Sequence, residues 1–152
     1  MAGYFRTLVA HARLLWNKAK SERASPREVG LAVALGVFIG CSPALGLHAW
    51  IAVGAASVVR LNRLFALLGS RVSFFLVLPW ITLCELQVGH HLRTGSFVTL
   101  ERRTIVKQAP TLLGDWLIGW IPVGTGLALV LGVLVYALAR ARATRAARAA
   151  GA

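Results

Sequence analysis

Arg71 is the residue with the most chemistry to offer. It stands eight positions past Arg63, in an otherwise apolar run that includes Phe74, Phe75 and Leu76. A charge at hydrocarbon depth is costly and marks a ligand or transport path by default. Two structural readings compete: a side chain snorkelling from near a helix end, and an ion pair with Glu85 or Asp115. His48 follows Pro43 closely and either faces a cavity beside Ser42 or is a hydrogen-bonded core residue next to Trp50. Cys84, Glu85, His90 and His91 have the residue types of a metal site. Their spacing matches neither H-E-x-x-H nor a Cys/His zinc pattern, and adjacent helical histidines point about 100 degrees apart. No metal and no cofactor is expected.

The chain has no Gly-x-Ser-x-Gly, phosphate loop or dinucleotide fingerprint. Its five acids, Glu22, Glu28, Glu85, Glu101 and Asp115, are too scattered to suggest paired acid–base catalysis. It reads as a non-enzyme, and so few polar groups in apolar segments disfavour an ion-coupled pump. Cys41 and Cys84 form no CxxC and are expected as small buried hydrophobes.

The elements that must position these residues are apolar. Hydrophobic residues make up 57% of the chain and charged ones 14%, a membrane profile for one domain of 152 residues. The net charge of +12 points to orientation in a bilayer and attraction to anionic headgroups. Nucleic acid is set aside because the basic residues flank apolar segments and form no groove-reading motif. Residues 29–59 are 31 positions without a charge, too long for one ordinary crossing. Cys41-Ser42-Pro43-Ala44-Leu45-Gly46 breaks that run in its middle, and broken backbone at membrane depth needs protein or a polar cavity around it.

The expected fold class is all-α: polytopic membrane helices with Pro/Gly-broken, re-entrant or hairpin segments, plus an N-terminal interfacial amphipathic helix. Residues 4–23 supply that helix, with Phe5, Leu8, Leu15 and Trp16 on one face and Arg6, Arg13 and Lys20 on the other. An ordinary packed helix with a solvated face is the alternative. No cleavable signal peptide is expected in this basic stretch. Ser25-Pro26 offers an N-cap with Pro at the first helical position, and Glu28 adds a favourable first-turn charge. Residues 28–59 form a broken hairpin bent at Ser42-Pro43, and 64–84 a segment interrupted by Arg71 and Pro79. A loop with Glu85, Gly89, His90, His91, Arg93 and Gly95 follows. A weaker amphipathic segment over 97–113, an apolar segment over 114–139 interrupted by Pro122, and a basic tail over 140–152 complete one membrane domain.

Every hydrophilic stretch is net basic, so plain crossings conflict with the positive-inside bias. Hairpins at the proline breaks resolve the conflict and leave both termini cytoplasmic. Ile39-Gly40-Cys41-Ser42-Pro43 also resembles Ile118-Gly119-Trp120-Ile121-Pro122, either by chance or as an internal repeat of the kind that builds transporters.

From Ser25 to about Leu92 the chain resembles the bacterial domain-of-unknown-function 2062 family of membrane proteins. The marks are Ser25-Pro26, Ala32, Gly36, Phe38-Ile39-Gly40, Pro43, Gly46, Arg60-Leu61-Asn62, Gly69-Ser70, Ser73, Pro79 and Gly89. Phe74-Phe75 stands where the family usually has Asn-Pro after the position of Ser73, so no role for that turn carries over. The resemblance implies an inner-membrane protein without established activity. Fusions of relatives to glycosyltransferase domains point to lipid-linked sugars or envelope lipids.

Two functions follow as expectations. The first is binding or transport of an anionic or polyprenyl-phosphate lipid. A half-helix N-terminus at the break attracts phosphate, and Gly40, Ser42, Pro43, Gly46, His48, Arg60, Arg63, Arg71 and Ser73 form the binding set. The second is a non-catalytic scaffold or anchor for a membrane-associated enzyme such as a glycosyltransferase. Gly36 and Gly40 at G-x-x-x-G spacing suit close helix contact, which also makes a homodimer plausible.

Overall fold

The computed structural model describes residues 25–44, 46–71, 77–98 and 105–151, with side chains in the last stretch from 109 onward. The 4–23 helix, Ser73, Phe74-Phe75 and residues 99–104 of the 97–113 segment lie outside the described residues. Among the described residues every regular element is a helix: α1 (Pro26–Cys41), α2 (His48–Val58), α3 (Arg63–Ser70), α4 (Leu78–Thr94) and α5 (Ile105–Ala150).

Helix α1 starts where the sequence says it should. Pro26 is at its first position, Ser25 Oγ accepts from the Glu28 amide, and Glu28 Oε2 accepts from the Ser25 amide at 2.9 Å. That reciprocal capping box satisfies two amides that would otherwise lack helical partners. The helix stops at Ser42, whose amide and hydroxyl both donate to the Ile39 carbonyl. Gly46 turns the chain at φ +82, a conformation that favours glycine, and α2 begins two residues later. Arg60 at φ +56 and the Asn62 cap on Leu64 and Phe65 turn the chain again into α3.

Helix α5 is the spine. At 46 residues it is about 69 Å long at 1.5 Å per residue. Among the described residues it is the one helix long and apolar enough to cross a membrane. Pro110 and Pro122 lie inside it without ending it. This corrects the hairpin expected at Pro122, since a proline deletes one amide bond and a helix embedded among neighbours tolerates that loss. The two Ile-Gly-x-x-Pro stretches therefore differ: one ends a helix and the other continues through it.

Helices α1 and α4 pack along the spine by backbone approach at small residues, α3 packs on α1, and α2 packs on α3 and α1. Helix α1 runs antiparallel to α5, with Gly30 against Gly132 and Tyr136 and Cys41 near Gly124. Val33, Val37, Cys41 and Ala128 form the core there, and Trp120 donates to the Phe38 carbonyl at 3.0 Å while its ring meets Phe38 at 4.9 Å. Helix α3 lies on the opposite side of α1, where Gly36 and Gly40 abut Ala66 and Ser70. The G-x-x-x-G face is thus used inside the chain and is not free for a partner. Helix α4 packs antiparallel on the first half of α5, with Gly89 and Gly119 face to face.

Helix α4 also corrects the loop expected at 85–95. Pro79 sits in its first turn, and Gly95 closes it at φ +75 with its amide on the His91 carbonyl. These are ordinary helix-start and helix-stop positions for the two residue types.

Candidate binding site

The predicted site residues divide into two groups. Gly40, Ser42 and His48 come together at the α1–α2 break, where His48 Nε2 lies 2.7 Å from the Ser42 carbonyl. His48 is therefore a hydrogen-bonded residue of the turn. Pro43 and Gly46 complete that turn, and Leu47 gives α2 no side-chain cap. Arg71 caps the end of α3, beside Ser70 and so at the level of Gly40. It is exposed, and neither Glu85 nor Asp115 pairs with it. Arg60 and Arg63 are exposed at the other end of α2, about 16 Å of helix away from the break. The structure does not gather the three arginines into one pocket.

Two sites the sequence reading missed are better formed. The first lies on the α4–α5 seam. Asp115 is fully buried and holds three bonds: Arg93 Nε at 2.6 Å, Arg93 Nη2 at 3.2 Å and His90 Nδ1 at 2.8 Å. A forked guanidinium on a carboxylate is among the stronger hydrogen-bonded pairs. Glu85, also fully buried, accepts from Trp116 Nε1 at 2.6 Å through Oε2. Its Oε1 has no partner among the described residues. Helix α4 is not itself a candidate span, and burial there pushes the Glu85 carboxyl up to about 7 against the opposing pull of the indole. Ile81, Glu85, Gly89 and Arg93 recur every four residues, a helical stripe that a loop assignment of 85–95 hides. Cys84, expected to be buried, is exposed on another face of α4, and Cys41 alone is buried. Among the described residues no three His, Cys, Asp or Glu side chains group to hold a metal.

The second site is a groove of about 380 Å³ between α1 and α5. Gly30, Ala34 and Gly132 form its floor, Leu31, Leu129 and Val133 its sides, and Arg27 and Tyr136 close one end. From Tyr136 a basic hollow continues along α5 over Arg140, Thr144, Arg145 and Arg148. Arg140 Nη1 reaches the Tyr136 hydroxyl at 3.4 Å, tying the apolar groove to the basic surface. The groove exists because the three small residues have little or no side chain to fill it. Their exposed neighbours are large and apolar. The space is apolar along its length and basic at its mouth.

Among the described residues, the fold is all-helical with one candidate membrane-crossing helix. The chain belongs to the DUF2062 family, described as uncharacterized protein conserved in bacteria, matched over residues 10–148. No curated protein and no solved structure matches it.

Proposed function

We propose that this chain is an integral membrane protein of the bacterial inner membrane that binds an anionic lipid, of which a polyprenyl phosphate is one form. The observation that carries the reading is the continuity of the apolar α1–α5 groove with Arg27, Arg140, Arg145 and Arg148 at one end. Lipid tails lie along Leu31, Leu129 and Val133, and the phosphate is held among the guanidinium groups. Arginine suits this task because its fixed fork of donors matches phosphate oxygens.

The level of the α1–α2 break supports a re-entrant α1–α2 hairpin within the same reading. Cys41 packs near Gly124, eight residues into the uncharged stretch 116–139. Residue 124 is about 12 Å of helix from Trp116, so the turn at Ser42-Pro43 falls well inside the apolar layer that α5 defines. On this reading α2 returns to the side from which α1 entered, which keeps Arg27, Arg60, Arg63 and the 140–148 arginines together, while Arg93 lies at the other end of α5 beside Asp115. The role is binding or transport without catalysis. A scaffold built on Gly36 and Gly40 has no face to use, since both are buried against α3.

Native mass spectrometry of the gently extracted protein tests this. Wild type is expected to carry a bound phosphate-bearing lipid that an Arg27→Ala/Arg140→Ala double variant loses. A lipid-free wild type, or a double variant that retains the lipid unchanged, rejects the groove.

A further inference from the structure

Glu85 and Asp115 are both fully buried on the same seam, and the chain treats them in opposite ways. Asp115 is given a guanidinium and an imidazole. Glu85 is given one indole N–H, no cation among the described residues, and nothing at Oε1. Leaving an ionised carboxylate buried without a cation is far costlier than burying the neutral acid. The missing partner is therefore a proton. We propose that Glu85 is a proton-binding site, loaded and emptied through the His90–Arg93 edge of the α4–α5 seam.

The geometry supplies the site and the exposed edge from which the proposed route runs. Trp116 fixes Oε2 and leaves Oε1 as the oxygen that takes the proton. His90 and Arg93 lie one to two turns further along α4 and are partly exposed, with side-chain exposures of 22% and 39%. They mark the direction of the aqueous edge. In the loading step a hydronium ion transfers its proton to the Glu85 carboxylate, leaving water and a neutral acid. Emptying reverses this and leaves a negative charge held by the indole N–H alone. Helices α5 and α1 are the elements packed against α4. Helix α5 brings Asp115 and Trp116 to the seam. Helix α1 carries its charges, Arg27 and Glu28, in the first turn, at the Tyr136 end of its contact with α5. On α4 itself the titratable and charged groups are Cys84, His90, His91 and Arg93. Among the described residues, the groups on these elements therefore leave its charge uncompensated. Buried acids beside a His/Asp network are the usual parts of proton relays in membrane proteins. The inference is independent of the lipid groove, which lies on a different pair of helices.

The test is infrared difference spectroscopy of the full chain in detergent micelles, with glutamate labelled by ¹³C and the pH raised stepwise from acid. The expected result is one labelled carboxylic-acid C=O band that outlasts the ordinary glutamate range and then disappears reversibly. The band is absent in Glu85→Gln, and its frequency shifts in Trp116→Phe, which removes the donor to Oε2. Should Glu85→Gln fail to fold, the Trp116→Phe shift still assigns the band. Absence of any labelled band above the ordinary range overturns the proposal. So does a band that persists into alkaline buffer, or one that Trp116→Phe leaves unmoved.

Discussion

Replacing Gly89 with alanine probes the seam on which both buried acids depend. A methyl built at Gly89 falls on the Asp115 carbonyl group, and it also lies 2.8 Å from the Gly119 amide nitrogen. Both obstacles are backbone, so no rotamer change relieves them. Restoring ordinary contact distances requires α4 and α5 to separate by on the order of 1–2 Å. Overpacking of this kind costs about 1–3 kcal/mol. The separation also stretches the Arg93–Asp115 pair, now at 2.6 and 3.2 Å. The expected loss is the overpacking cost of about 1–3 kcal/mol. At about 2–4 °C per kcal/mol for a chain of this size, the melting temperature should fall by roughly 2–12 °C. Circular dichroism melts in detergent read this directly. Gly54→Ala and Gly126→Ala are the controls, because nothing lies within 4 Å of a methyl at either position. Each should hold or gain up to about 1 kcal/mol, since alanine is the better helix former. If Gly89→Ala melts with wild type, or all three variants fall alike, the close α4–α5 seam is wrong.

Four further outcomes follow from named contacts. Arg93→Ala leaves Asp115 buried with only His90, so chemical denaturation should show a lower midpoint than wild type. Asn62→Ala removes the acceptor for the Leu64 and Phe65 amides and should lower the melting midpoint by the equivalent of about 1 kcal/mol. Trp120→Phe keeps most of the ring against Phe38 but loses the 3.0 Å bond to its carbonyl, and the same assay should show a loss of about 1 kcal/mol. The folded Glu85 pKa of about 7 exceeds its ordinary 4.5, so the folded state binds more protons between those values. Stability should accordingly fall as pH rises through that window, and denaturation of Glu85→Gln should lack that component.

Much of the fold was legible because local rules and tertiary packing agree. Ser25-Pro26 with Glu28 fixed the start of α1, and Ser42-Pro43 with Gly46 fixed its end and the reversal into α2. The small residues that permit close approach were visible, but not which helix meets them: Gly36 and Gly40 face α3, where a partner chain fitted the spacing equally well. Helix α4 was missed because Glu, Gly and two histidines have the composition of a loop. Only the four-residue stripe from Ile81 to Arg93 betrays a helix, and its mixture of apolar, acidic, small and basic residues makes sense once α5 lies against it. Pro122 misled in the opposite direction, since a proline inside a packed helix forfeits one bond without ending it. The α1–α5 groove was not legible at all. It forms between residues about a hundred positions apart, and its lining residues are unremarkable until α1 and α5 run antiparallel.

The most direct test of the central claim is photocross-linking with a phosphate-bearing lipid that carries a diazirine in its acyl chain, mapped by peptide mass spectrometry. The account predicts cross-links concentrated on Leu31, Leu129 and Val133, and their loss in the Arg27→Ala/Arg140→Ala double variant. Cross-links centred on the Ser42–Gly46 turn, or spread evenly over the exposed faces of α2 and α5, would contradict it.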